Sequence, residues 1–295
     1  MKNKKPIFIV GFSRGGSSLL LNILRSHPGV CSPRGETQEV FKGKRVESAW
    51  TRIKKRLRYL PFVMQQRQDL FSDRNLSTRK PVTPAQAQKI DDIFYKEKVA
   101  ASDITQNLYK FENKYYSDEE KRRSRLLCKN LNGLAFTTDI FQSIYPDAVF
   151  LCLMRNGYAV CEGHLRRSSS VEKVGRLYQI VGQQMISDAV RYKNYHIIKY
   201  EDLVLSPEKL VSKIYRLCEL EQKRVGKFRL TVRKGQKAQG HAGGEATDLV
   251  WYERKEFFMR LSPDFNEKQI KALSSSNKRE FLTYAKKVMQ HFEYV

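Results

Sequence analysis

The sequence predicts an α/β fold in which a central parallel sheet is flanked by helices and interrupted by one basic helical insertion. Three observations carry that expectation. Short runs that are apolar at every position recur, such as Ile7-Phe8-Ile9-Val10 and Val149-Phe150-Leu151-Cys152-Leu153, and such runs mark strands buried on both faces. Helix-periodic segments bounded by glycine and proline alternate with them. The hydrophobic fraction of 41% over 295 residues is enough for one sheet-centred core, so a single domain spanning residues 1–295 is expected.

Taken in order, residues 6–10 read as a buried strand and Gly11 to Ser17 as a glycine- and serine-rich turn opening into the helix Ser18 to Arg25. His27-Pro28-Gly29 stops that helix, Val30 to Ser32 forms a second short strand, and Pro33-Arg34-Gly35 turns the chain into Glu36-Thr37,. From about residue 41 to 125 the pattern becomes long, polar and dense in basic residues, which reads as the helical insertion. Leu126-Leu127-Cys128-Lys129 resumes the sheet, Phe136 to Ile144 is helix-like, and Ala148 to Met154 is a strand ending in Arg155-Asn156-Gly157. His196 to Tyr200 is one more strand. Ser206-Pro207-Glu208 starts an amphipathic helix to about Leu217, with serine as N-cap and proline in the first turn. Beyond Glu221 the chain is expected to be loop-like, glycine-rich and basic over 229–246, with a last helix from Glu267 to Phe292.

The charge narrows the function classes. Lysine and arginine number 55 against 31 acidic residues, a formal net charge of +24, and an excess of that size points to an anionic partner. Nucleic acid, a membrane surface, a polyanionic glycan and a multiply charged nucleotide all satisfy it. The five cysteines, Cys31, Cys128, Cys152, Cys161 and Cys218, stand singly among apolar neighbours with no C-x-x-C pair. They read as buried, reduced thiols of a cytoplasmic protein, not as a disulfide framework or zinc site. The apolar run after Met1-Lys2-Asn3-Lys4-Lys5 is shorter than the signal-peptide core of about 7–15 residues, and no stretch approaches the roughly 18 apolar residues of a membrane span. A soluble protein is expected, with peripheral contact at the inner membrane surface as the remaining membrane role.

Gly11-Phe12-Ser13-Arg14-Gly15-Gly16-Ser17-Ser18 lies between a strand and a helix. A turn so placed aims backbone N–H groups and the positive helix end at one point, which suits a phosphate or sulfate. Against the G-x-x-x-x-G-K-[ST] pattern the glycines fall at Gly11 and Gly16, yet Ser17 stands in the lysine position,. A nucleoside triphosphatase is thereby disfavoured, and the cation is supplied within the loop by Arg14. No lone aspartate follows an apolar run as a magnesium partner, so an anion that needs no metal is expected.

Ser13-Arg14-Gly15-Gly16-Ser17-Ser18 resembles the P-[RK]-[ST]-G-[ST]-[ST]-like loop of the sulfotransferase family, departing from it at Ser13 and Gly15. The downstream segments resemble the same family in the expected order, with the branch closest to tyrosylprotein and bacterial sulfotransferases. The resemblance implies a P-loop-like sheet and transfer of a sulfuryl group from 3′-phosphoadenosine 5′-phosphosulfate to an acceptor hydroxyl, without a metal. His27 to Thr37 is similar to the stretch that delivers a glutamate beside the sulfuryl group, which makes Glu36 the general base. Lys129 stands where the family places a lysine that stabilises the bridging oxygen of the leaving phosphosulfate, a task Arg14 shares.

Tyr145 to Gly157 looks like the family's second hallmark, a strand whose terminal arginine, here Arg155, grips the nucleotide 3′-phosphate with its planar fork. Many members carry a serine eight residues later, and this chain has Gly163, flanked by Glu162 and His164. A backbone N–H or one of His164, Arg166 and Arg167 then replaces the hydroxyl, or fewer side chains hold the phosphate. Tyr200-Glu201-Asp202-Leu203 resembles the family segment whose tyrosine lies near the nucleotide. Arg233-Lys234-Gly235 resembles the loop that closes over the 3′-phosphate and adenine.

The acceptor stays open at this level: the basic excess favours a saccharide, anionic or lipid-linked, over a tyrosyl peptide. Two rival classes rest on other residues. Lys54-Lys55-Arg56-Leu57-Arg58-Tyr59 interleaves cations with an aromatic, as a nucleic-acid binder would, although no recognised binding module accompanies it. Trp50 to Met64 mixes basic and apolar residues as an interfacial helix does, with Pro61 breaking the pattern. A nucleotide kinase shares the opening strand, loop and helix but requires the missing loop lysine.

Overall fold

The structure is a computed structural model and describes residues 1–33, 36–37, 40, 48–54, 82–101, 116–233 and 247–295. Its centre is a five-stranded sheet built from β1 (Ile7–Gly11), β2 (Val30–Cys31), β3 (Arg125–Leu131), β4 (Val149–Met154) and β5 (Tyr195–Lys199). The order is β2-β3-β1-β4-β5, with every neighbouring pair parallel. The all-apolar strands are continuous because both faces are covered. Phe8, Val10, Cys128, Phe150 and Cys152 pack on one side, against α4 (Thr138–Ile144), α6 (Val171–Arg191) and α11 (Ser275–His291). Ile7, Ile9, Leu127, Leu151 and Leu153 pack on the other, against α1 (Ser17–Arg25) and α8 (Pro207–Leu217). That alternation is the period of two that a pleated strand imposes.

The register sets the site. Gly11 pairs with Leu131 on one side and Leu153 on the other, so β1, β3 and β4 run out at the same level. The loop after Gly11 therefore emerges between the chain following Leu131 and the chain approaching Arg155. In an open parallel sheet this carboxyl edge is where ligands bind.

Within the insertion, residues 49–54, α2 (Pro84–Ala100) and α3 (Asp118–Arg123) are helical. Thr83 and Ser117 close capping boxes at the starts of α2 and α3,. Buried Asp91 ties α2 to the sheet, accepting from the Asn3 backbone N–H at 3.1 Å, Asn3 Nδ2 at 2.8 Å and the Tyr145 hydroxyl at 3.0 Å. Lys55 to Met64, which carry most of the two rival binding patterns, lie outside the described residues.

Three expectations are corrected. The stretch beyond Glu221 is not loop-like, because β6 (Lys227–Arg233) and β7 (Thr247–Glu253) form an antiparallel pair. Phe228 and Leu230 alternate along β6 and bury into the core face shared with α1 and with Phe257 of α9 (Arg254–Met259), so the pairing follows from a period-two pattern. The last helix is two helices, α10 (Asp264–Ala272) and α11. Ser274 ends the run by accepting the Asn277 N–H at 3.2 Å, and capping a new helix there competes with continuing the old one,. The fifth strand is shifted by one residue, so Tyr200 opens α7 (Tyr200–Leu205) instead of closing β5. Ser206 precedes α8 without a side-chain cap bond. Among the described residues no helix is long and apolar enough to cross a membrane.

Candidate active site

The loop after β1 is held from three directions. Phe12 is buried and stacks on Tyr178 at 4.7 Å. Ser13 donates its backbone N–H to Asn132 Oδ1 at 3.0 Å, and Asn132 Nδ2 donates to Ser13 Oγ at 3.2 Å. Nε2 of His164, from α5 (Gly157–Leu165), lies 3.0 Å from Ser13 Oγ and 3.1 Å from its carbonyl oxygen. The carbonyl can only accept, so Nε2 carries the proton. Burial, with Arg14 nearby, holds His164 below the ordinary histidine range and hence neutral,.

Arg14 and Gly16 both adopt left-handed backbone, with φ of 67° and 89°. Gly16 is the N-cap of α1 and supplies no side chain to cap it, so the first-turn N–H groups of that helix have no side-chain cap,. Glycine is required there for a second reason: a Cβ on Gly16 would stand 2.4 Å from Tyr200 Cδ2. The Tyr200 ring thus packs directly against the loop, and burial raises its hydroxyl pKa.

Arg155 follows β4 and turns back to the loop. Its Nη1 donates to the Arg14 carbonyl at 2.9 Å, Nε to Asn266 Oδ1 at 2.8 Å and Nη2 to Gln269 Oε1 at 2.7 Å. The guanidinium sits 4.3 Å over the Tyr200 ring and 5.8 Å from that of Phe265,. Burial to 3% exposure lowers its pKa without removing its charge,. Glu201 braces the same corner: it accepts from the Asn156 N–H at 2.9 Å, Asn266 Nδ2 at 3.1 Å and the Tyr294 hydroxyl at 2.8 Å.

Glu36 and Lys129 form a second group. Glu36 Oε1 lies 3.0 Å from Lys129 Nζ, with both side chains half-buried or better. Lys129 pairs in register with Ile9 and precedes Asn132, which holds Ser13. The chain after β2 and the end of β3 therefore present this ion pair on the carboxyl edge from which the loop emerges.

Of the residues expected from sequence, Ser13 to Ser18, Arg155, Gly163 and Tyr200 are brought together, and Glu36 is paired with Lys129. Arg233 ends β6 with its side chain outside the described residues, as are Lys234 and Gly235. Of the three side chains considered for the serine's place, His164 is directed to Ser13, Arg166 pairs with Glu162 at 2.8 Å and Arg167 is exposed. Sequence reasoning missed Asn132, Asn266 and Gln269. Asn132 had a signal, since an Asn-Gly pair after a strand favours left-handed backbone, and its φ is 53°.

A model of the sulfotransferase family matches residues 6–224. The chain belongs to the sulfotransferase family. Sulfotransferase structures similar to this one include the sulfotransferase domain of the olefin synthase of Synechococcus PCC 7002, at 18% identity over 97% of this chain and 96% of that one, with a TM-score of 0.49. The sulfotransferase domain of the curacin biosynthetic pathway aligns at 16% identity over 99% and 98%, with a TM-score of 0.49. A sulfotransferase from Alicyclobacillus acidocaldarius aligns at 15% over 96% of each chain, with a TM-score of 0.39. No curated protein matches this sulfotransferase. The family match makes the protein an enzyme of sulfuryl transfer, and it ends before the segment that supplies Asn266 and Gln269.

Proposed function

We propose that this sulfotransferase takes its sulfuryl group from 3′-phosphoadenosine 5′-phosphosulfate and delivers it to a hydroxyl of a saccharide or glycolipid. The contact between Arg155 and the Arg14 carbonyl carries this reading. It joins the residue proposed for the nucleotide 3′-phosphate to the loop proposed for the phosphosulfate, so that two anion sites share one wall. The fit rests on an N-terminus of α1 without a side-chain cap, opened by left-handed Arg14 and Gly16, where backbone N–H groups converge. When bound, the donor supplies an activated sulfuryl group with a good leaving group.

The chain's own residues divide the remaining work. Ser13 to Ser18 hold the phosphosulfate, and Arg14 with Lys129 balances the negative charge that develops on its bridging oxygen. Glu36 takes the acceptor proton, since a neutral hydroxyl is a poor nucleophile. Its ion pair with Lys129 fixes the carboxylate, and with it the direction from which the hydroxyl is deprotonated. Tyr200 walls the nucleotide side of the loop, and Arg233, Lys234 and Gly235 close over the 3′-phosphate and adenine. No metal takes part.

The net charge of +24 supports an anionic or lipid-linked saccharide as acceptor, because excess cations raise the local concentration of anions. The same excess supports peripheral contact with an inner membrane surface. Five unpaired, buried cysteines support a cytoplasmic setting.

Transfer of labelled sulfonate from the donor to a panel of neutral and anionic saccharides, glycolipids and tyrosyl peptides tests the proposal. Label is expected in the saccharide or glycolipid fractions and absent with Glu36→Gln. Label confined to tyrosyl peptides would overturn the acceptor assignment.

A further inference from the structure

Gly163 lies eight residues after Arg155, and its missing side chain leaves space that another residue fills. A Cβ built there would meet Arg14 Cβ at 3.1 Å and Arg14 Cγ at 3.3 Å, with Gln269 Nε2 at 3.5 Å. Helix α5 can therefore approach the loop closely, and the Gln269 carboxamide nitrogen stands within reach of where a side chain on residue 163 would end.

Hydrogen-bond counting shows what that carboxamide has left to offer. Arg155 has five N–H groups, and three are used, toward Arg14, Asn266 and Gln269,. Gln269 accepts from Arg155 at Oε1 and donates one N–H of Nε2 to Glu162 Oε2. Two N–H groups of Arg155 and one of Gln269 remain, on side chains joined by a 2.7 Å bond and both nearly buried, at 3% and 5% exposure. Buried donors of this kind call for an acceptor. Glu162, which accepts from Gln269, is balanced by Arg166 at 2.8 Å.

We propose that Gln269 contacts the 3′-phosphate of the nucleotide directly, supplying from α10 the neutral donor that the family's serine would supply from position 163. The inference rests on the reading of Arg155 as the 3′-phosphate residue. Gln269 lies beyond the segment matched by the family model, so this half of the clamp comes from a part of the chain that the family pattern does not cover. An acceptor with three or more oxygens suits three donors on two bonded side chains, and a phosphate monoester is such a group,.

The test compares affinities for adenosine 3′,5′-bisphosphate and adenosine 5′-monophosphate, which differ only in the 3′-phosphate. Calorimetry on the full chain gives the preference as a ratio of Kd values. Gln269→Ala is expected to reduce that preference about tenfold or more, with monophosphate affinity kept within about twofold. Gln269→Glu keeps an acceptor for Arg155 but removes the N–H, so it is expected to reduce the preference at least as far. Monophosphate binding reports correct folding in either variant. A preference left intact in Gln269→Glu would mean that Gln269 only braces Arg155, and equal weakening of both nucleotides would mean a general structural role; either result overturns the assignment. A wild-type enzyme with no preference for the bisphosphate overturns the 3′-phosphate reading of Arg155 itself, whatever the variants do.

Discussion

Glu36 Oε1 and Lys129 Nζ meet at 3.0 Å, an ion pair between the chain leaving β2 and the end of β3. Under the proposed function each of the two has a separable chemical task. Glu36→Gln keeps the size of the side chain and removes the base. Nucleotide affinity is expected to stay within about twofold while transfer falls below detection, as titration calorimetry and a labelled-sulfonate assay would show. Lys129→Ala is expected to lower kcat by about 10²–10³-fold, with a smaller effect on donor affinity.

Arg155→Ala removes a guanidinium that also supports the Arg14 carbonyl, Asn266 and Gln269. Nucleotide affinity is expected to drop by about 10²-fold or more, since hydrogen bonds from a charged donor are the strong ones. Arg155→Lys should recover little of it, because an ammonium cannot span the three acceptors that the fork reaches. Direct binding measurements on the three proteins check this, and recovery by lysine would mean that charge alone suffices.

Gly16→Ala places a methyl group 2.4 Å from Tyr200 Cδ2 in a backbone with φ of 89°. Overpacking and left-handed strain each cost about 1–3 kcal/mol. A lower urea midpoint and a loss of nucleotide binding are the expected outcomes. Unchanged stability together with unchanged binding would contradict the placement of Tyr200 on the loop.

His27 gives a pH dependence with a definite sign. The ring is buried; Nδ1 accepts the Gly29 N–H at 3.0 Å, and Nε2 lies 3.2 Å from the Glu221 carbonyl. The Nδ1 bond needs the neutral ring, whereas Nε2 donates in either protonation state; burial, reinforced by the charge of Arg224, lowers the pKa from 6.5 to about 4. As pH falls the unfolded chain takes up this proton first, so the stabilisation is complete above about 6.5 and is lost as pH drops through about 4. The stability advantage of wild type over His27→Gln should shrink by about 3 kcal/mol between pH 7 and pH 4, at about 1.4 kcal/mol per pKa unit. Denaturant unfolding at the two pH values measures it, and a constant difference would contradict it.

The sheet and half of the site were legible because their signals are local. Ile7 to Ser18 contains strand, turn and helix start in one stretch, and Arg155 closes an apolar run. The brace around Arg155 was not legible, since Asn266 and Gln269 lie on a helix more than a hundred positions away and look like ordinary polar helix residues. The pairing of β6 with β7 had a visible pattern in Phe228 and Leu230, obscured by the basic residues within and beside it. One of those, Arg229, is fully buried and donates to Asn22 Oδ1 at 2.9 Å, which a reading of polar residues as exposed does not anticipate. The split at Ser274 turned on a side-chain cap competing with helix continuation, a contest of about 1 kcal/mol that periodicity does not register.

Titration of the purified protein with adenosine 3′,5′-bisphosphate in the presence of a metal chelator tests most directly whether the loop after β1 receives a sulfonated nucleotide. Saturable binding at one site, with a rise in Tm that grows with nucleotide concentration, is the predicted result. Absence of binding, or a response seen only to ATP with magnesium, would contradict it.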